Sequence, residues 1–358
     1  INMQLSWLRR LNRCSIALLT VALGLMTIVF QMPTMERCVS SARSIRVHTN
    51  ATHGQRPNDL SPEDIESVRI FVFFVGYQRS GHSLVGSMLD AHPHAVVPHE
   101  FMLFERLVDR NDSAALFNRM KLYNELWKHS VADATQGWRS DLAYDKAARK
   151  GYTLAIGGTN WHGAFTRLKV IGDKSGGKAA RVFHRKPAEF REAYEKLRIA
   201  VGVPIRVLHV VRDPFDIIAS DTLYAASPVA GQRLRNVSEL HKLSDPKLLV
   251  ARARHLLSSS AAVDAMIGAC NMTVLELHMA DLLLDPRAVL KRLCAFLEID
   301  CFEDYVRACG AKVLPPPVLP VQELVGWPPE VKSYLLQELS KYPFFRRYLP
   351  QGDMREGV

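Results

Sequence analysis

The sequence is poor in metal-ligand spacing and in acid. Its six cysteines include no C-x-x-C pair, and its 13 histidines form no zinc-type pattern, so no metal centre is expected. Asp and Glu number 36 against 46 Lys and Arg, leaving a formal charge of +10. That shortage of acid favours polyanionic partners, without separating nucleic acid, sulfated glycan, acidic peptide and lipid surface. No internal repeat stands out, so the body reads as one domain rather than an array. With 48% hydrophobic and 23% charged residues, the 358-residue chain has the composition of a folded protein with one large core or two modest ones.

Charge is also missing from one long stretch near the start. Cys14 to Met32 runs 19 residues without a charged side chain. At ~1.5 Å per residue it nearly crosses a hydrocarbon core of ~30 Å. Arg9, Arg10 and Arg13 precede it, which predicts a cytoplasmic tail at 1–13, a signal-anchor transmembrane helix at 14–32 and a lumenal remainder. A cleaved signal peptide is the rival reading. Sequons at Asn50, Asn111, Asn236 and Asn271 agree with export. Cys38, Cys270, Cys294, Cys301 and Cys309 would all be lumenal. The last four allow three complete pairings, with buried thiols as the alternative.

Residues 33–67 lack sustained periodicity. CVSSARSIRVHTNATHGQRPNDLSPED, Cys38 to Asp64, reads as a flexible stem, and 68–350 as the folded domain. There, short apolar runs alternate with amphipathic ones. Strands are predicted at Ile70 to Val75, Tyr152 to Ile156, Leu168 to Ile171, Ile205 to Val211 and Thr273 to Leu277. Helices are predicted at Ser83 to Asp90, Phe101 to Trp127, Arg181 to Ile199, Leu248 to Ala269, Pro286 to Leu297 and Glu330 to Leu339. Uniformly apolar strands separated by helices predict an α/β, P-loop-like three-layer sandwich with a mainly parallel sheet.

Two strand ends carry chemistry. GYQRSGHSL, Gly76 to Leu84, follows IFVFFV and opens a helix. Its glycines allow close backbone approach, and the amides at the helix start suit an anion. Ser80 and Ser83 add donors, and Arg79 adds a planar fork. His82 stands where a nucleotide phosphate loop has Lys, which argues against a kinase. In HVVRDPFDIIASDTLY, Arg212 follows a strand, Asp213 and Pro214 open a helix, and Ser220 lies within reach of the same oxyanion. The bland readings are a glycine turn with a solvated Arg79, and an Arg212 paired with Asp213 or Asp216. Arg252, Arg254 and His255 are either a steering patch for an acidic acceptor or a solvated helix face.

These segments together resemble the sulfotransferase superfamily, and its Golgi membrane-bound branches in particular, both carbohydrate and tyrosylprotein sulfotransferases. QRSGHSLVGSMLDAHPHAVVPHE is similar to the family's 5'-phosphosulfate loop and helix, RDPFDIIAS to its 3'-phosphate motif, and LELHMADLLLDPRAVLKRLCAFLEI to its late strand–helix segment. The resemblance spans Ile70 to Leu349 and lacks the late K-G-x-x-G of soluble small-molecule enzymes. It implies a Golgi single-pass type II enzyme using 3'-phosphoadenosine 5'-phosphosulfate as donor, without a metal. Donor contacts then fall on Arg79, Ser80, Gly81, His82, Ser83, Leu84, Arg212 and Ser220. Glu100 matches the family's catalytic base, with His99 as rival, while His92 and His94 are weaker candidates. Arg79 and Lys174 would stabilise the leaving group. A glycan hydroxyl is the first acceptor and a protein tyrosine the second, with a homodimer possible and nucleic acid not expected. A lumenal kinase and an inactive glycan-binding protein remain alternatives.

Overall fold

The run IFVFFV has no polar face to offer water, and in the computed structural model it forms the central strand of a sheet. The structure describes residues 59–110, 113–140, 154–226, 245–314 and 319–350. All of these belong to the compact unit Gly54–Val358. The expected tail, the segment 14–32 and most of the stem lie outside the described residues. Among the described residues no helix is long and apolar enough to cross a membrane.

Five strands, β1 (Ile70–Gly76), β2 (Ala95–Val96), β3 (Val170–Asp173), β4 (Ile205–Val211) and β5 (Thr273–His278), pair in the order β2-β3-β1-β4-β5. Every pairing is parallel. Along β1, Phe71, Phe73 and Val75 join the core on one face, and Ile70, Val72 and Phe74 join the core on the other. That two-residue alternation buries both faces, as a parallel sheet between helical layers requires. The α/β sandwich with a parallel central sheet is thus present.

Several expected elements differ. The apolar run ending at Ile156 is not a strand over its described residues: Leu154 N–H bonds Trp138 O at 2.9 Å, and Ile156 N–H bonds His162 Nε2 at 3.1 Å. Its backbone groups are thereby diverted from any ladder. The edge strand is β2 instead, too short to register as a periodic pattern. The expected helix at 101–127 is three helices, Leu103–Asp109, Ser113–Leu116 and Arg119–Thr135. That at 181–199 is two, Gly177–Arg185 and Pro187–Val201, because Pro187 cannot donate to a continuing helix and starts a new one. The stem reading fails at its end, where Ser61 and Asp64 form a reciprocal cap on the helix Pro62–Ser67. Cys270, Cys294, Cys301 and Cys309 are all free thiols. Asn271 sits in an exposed turn, and the other three sequons lie outside the described residues.

Candidate active site

The carboxyl ends of β1, β3 and β4 converge, and each delivers one part of the site. From β1 the chain turns through Tyr77–Gly81 into the helix His82–Asp90. Gly81 holds the N-cap position at φ 92°, where an added Cβ would lie 2.6 Å from Met279 Sδ. No side chain caps this helix, so its first amides are available to an anion. Ser80 is buried and its Oγ lies 3.2 Å from His82 Nδ1. Burial chiefly, with Lys174 adding, lowers the His82 pKa to about 3, so the ring is neutral. Leu84 packs its side chain against the core, and its N–H bonds Gly81 O at 3.0 Å.

From β4 comes the second part. Asp213 accepts Phe215 N–H at 2.8 Å at the start of the helix Pro214–Ala226. Arg212 pairs with Asp216 at 3.2 Å and donates to Arg79 O at 3.2 Å. Arg79, itself at φ 66°, donates through Nε to Ser220 Oγ at 3.1 Å, with its guanidinium 4.9 Å from the Tyr224 ring centre. The two sequence motifs therefore meet. Behind them Arg252 reaches Asp221 at 3.4 Å, whereas Arg254 and His255 are exposed.

The third part comes from β3. Lys174 follows the strand directly, and its side chain is fully buried. Nζ lies 3.2 Å from Ser83 Oγ and 3.3 Å from Glu100 Oε1. Its stem crosses Gly86 so closely that a Cβ there would lie 2.4 Å from Lys174 Cγ. Burial lowers the Lys174 pKa to about 8; the Glu100 carboxylate opposes this and Arg139 adds to it. Glu100 stands 36% exposed beside the buried His99, whose Nε2 is 4.0 Å from Glu100 Oε1. Burial, then Lys174 and Arg139, drives the His99 pKa to about 2. A ring so reluctant to protonate is a poor proton acceptor at neutral pH. His92 and His94 sit apart, against Asp300 and Phe302.

Sequence reasoning missed the groups beneath this surface. Asp173 accepts Phe101 N–H at 3.1 Å and Leu103 N–H at 2.9 Å, fixing the turn after Glu100. Asp90 and Arg139 form a fully buried ion pair at 2.6 Å, and they take the Val97 N–H and C=O at 2.7 and 2.5 Å. The only signal in the sequence was charge inside otherwise apolar surroundings, and it names no partner. No group of three or more His, Cys, Asp or Glu suited to a metal occurs among the described residues.

An anion cradle at the ends of parallel strands, with a buried lysine and a carboxylate beside it, defines a group-transfer site. The sequence model of the sulfotransferase family matches residues 72–304, and the chain belongs to that family. Its fold is similar to the sulfotransferase domain of the Synechococcus PCC 7002 olefin synthase, with 18% identity over 80% of this chain and 97% of that one and a TM-score of 0.42. It is also similar to a Mycobacterium avium sulfotransferase, at 13% identity, 79% coverage of each chain and a TM-score of 0.41. A mouse sulfotransferase complexed with PAP matches at 13% identity, 80% and 93% coverage and a TM-score of 0.38. No curated protein matches the chain.

Two expectations are corrected here. The match over residues 72–304 is to the sulfotransferase family at large, so the narrower assignment to a Golgi membrane-bound branch is not retained. The Golgi-membrane, type II location rested on that branch and is not retained with it; among the described residues no helix is long and apolar enough to cross a membrane, and the segment 14–32 lies outside them.

Proposed function

We propose that this sulfotransferase moves a sulfonyl group from 3'-phosphoadenosine 5'-phosphosulfate to a carbohydrate hydroxyl. The observation that carries the reading is the position of Lys174 Nζ between Ser83, on the first turn of the uncapped helix, and Glu100. The donor, when bound, supplies the activated sulfonyl group. The residues present suit it: free amides at His82 and Ser83 with Ser80 and Arg79 for its 5' end, and Arg212 with Ser220 for its 3'-phosphate. Glu100 accepts the acceptor's hydroxyl proton. Lys174 and Arg79 stabilise the charge that gathers on the departing oxygen. His99 flanks the base and stays neutral. Trp138, partly exposed and 5.5 Å from the His99 ring, offers an aromatic surface of the kind on which sugar faces rest.

Donor specificity provides the test. Arg212→Ala should weaken the 3'-phosphorylated product nucleotide by roughly ten- to hundredfold and leave its 3'-dephosphorylated analogue little changed. Arg79→Ala should weaken both. Calorimetry with the two nucleotides reads the difference, and a wild type indifferent to the 3'-phosphate removes Arg212 and Ser220 from the site. Labelled donor offered with glycans, peptides and simple alcohols then identifies the acceptor; transfer to peptide alone would overturn the carbohydrate assignment.

The pH profile makes a second demand. Lys174 acts as the ammonium, which persists below its lowered pKa of about 8 and is lost above it. In kcat/KM for the donor, a free-enzyme quantity, a plateau should therefore give way above pH ~8 to a decline approaching tenfold per pH unit. Lys174→Arg keeps its charge and should extend the plateau upward. A limb that stays in place in Lys174→Arg belongs to another group.

A further inference from the structure

Glu100 is held in a conformation that it would not choose. Its φ is 58°, in the left-handed region that side chains bearing a Cβ avoid, and Met102 two residues later is at 61°. Such a backbone persists only where the surroundings over-determine it. Around Glu100 they do. Glu100 N–H bonds Lys174 O at 3.0 Å, and Lys174 N–H bonds Pro98 O at 3.2 Å, so one side of the strap 97–100 is tied to the end of β3.

The other side is tied by a single helix, Arg119–Thr135, which sequence reasoning left without a functional role. Asp133 Oδ2 accepts the N–H of His99 at 2.7 Å. His129, one turn earlier on the same face, places Nε2 3.1 Å from the carbonyl oxygen of His99. That carbonyl belongs to the peptide unit leading into Glu100. The two side chains thus grip the main-chain donor and the main-chain acceptor of the residue before the proposed base. His129 is braced edge-on against Phe101, the residue after it, with ring centres 5.7 Å apart. Neither residue contacts the reacting groups in this arrangement. On this helix Leu122, Tyr123, Leu126 and Trp127 serve packing, Asn124 accepts the Leu60 N–H and Ser130 donates to Asp90, while His129 and Asp133 are both spent on one peptide.

We infer that His129 and Asp133 are positioning residues, a two-pronged clamp that holds the His99 main chain so that the left-handed Glu100 presents its carboxylate to Lys174 and the acceptor hydroxyl. The inference rests on Glu100 being the base. Loss of a prong frees the peptide to relax toward ordinary φ and draws the carboxylate away. The clamp therefore acts on the chemical step and leaves the donor cradle, on the far side of Lys174, intact.

The test is a double-mutant cycle on single-turnover sulfonyl transfer, with the affinity for 3'-phosphoadenosine 5'-phosphate measured alongside by calorimetry. Asp133→Ala should slow the chemical step by about tenfold or more while nucleotide affinity changes less than about threefold, a split that mere loosening of the fold would not produce. Asp133→Asn retains a carbonyl oxygen for the His99 N–H and should recover most of the rate. In a Glu100→Gln background, Asp133→Ala should add little further loss, because a clamp has nothing to position once the base is gone. If Asp133→Ala does not fold, His129→Ala carries the same expectations. Folded Asp133→Ala and His129→Ala enzymes with wild-type rates, or full additivity with Glu100→Gln, would overturn the clamp. A Glu100→Gln enzyme that itself transfers at the wild-type rate would instead overturn the base assignment on which the clamp rests.

Discussion

Lys174→Met is expected to slow sulfonyl transfer by about 10²–10³-fold, the scale seen when one preorganised stabilising donor is removed from a closed site. Methionine keeps the unbranched stem that crosses Gly86, so packing is disturbed little. What disappears is an ammonium that is fully buried, 3.2 Å from Ser83 and 3.3 Å from Glu100. With so little water around it, that charge is worth more than an exposed lysine's, and no solvent dipole replaces it. Affinity for the product nucleotide should fall by only about tenfold or less, since the loop amides, Arg79 and Arg212 remain. Rapid-quench measurement of the chemical step, set against calorimetric nucleotide affinity, separates the two effects. A Lys174→Met enzyme within threefold of the wild-type rate would show that the cation does not face the leaving group.

Glu100→Gln should cost the chemical step ~10²-fold or more, in the usual range for removal of a general base. The amide matches the carboxylate in size and can still accept a bond from Lys174, but it cannot take the acceptor's proton. Donor affinity should therefore hold. His99→Ala should be the milder change, because burial and the neighbouring Lys174 hold its pKa down to about 2 and make the ring the weaker proton acceptor. Single-turnover rates at saturating donor and acceptor make the comparison. An unchanged chemical step in folded Glu100→Gln, with a collapse in His99→Ala, would reverse the two roles.

What was legible in the sequence was whatever the chain states locally. IFVFFV followed by a glycine loop could only be a buried strand feeding a helix, and Pro204 and Pro214 bracketed β4 without breaking its ladder. The meeting of Arg79 with Ser220, 141 positions apart, could be expected because both follow parallel strands and parallel strands end together. The rest of the site is tertiary. His129 and Asp133 sit in a helix whose pattern gives no reason to look at the peptide of His99. The pairing of Asp90 with Arg139 depends on a turn after Thr135 that no periodicity announces. The misread strand at Tyr152 to Ile156 failed for the converse reason: its apolar run was real, but the Trp138 carbonyl and the His162 ring had already claimed the Leu154 and Ile156 amides.

The crossing of Gly86 by Lys174 bears on how this enzyme can be engineered. Glycine inside a helix forgoes about 1 kcal/mol relative to alanine, and exchanging such glycines is a common route to thermostability. At position 86 that exchange would drive a methyl group into the stem of the lysine, so hardening the helix and keeping the enzyme active are opposed aims there. Gly268 and Gly310 also lie in helices, Pro246–Ala269 and Glu303–Lys312, and a Cβ at either meets nothing within 4 Å. A heat-tolerant variant should start from those two and leave Gly86 as it is.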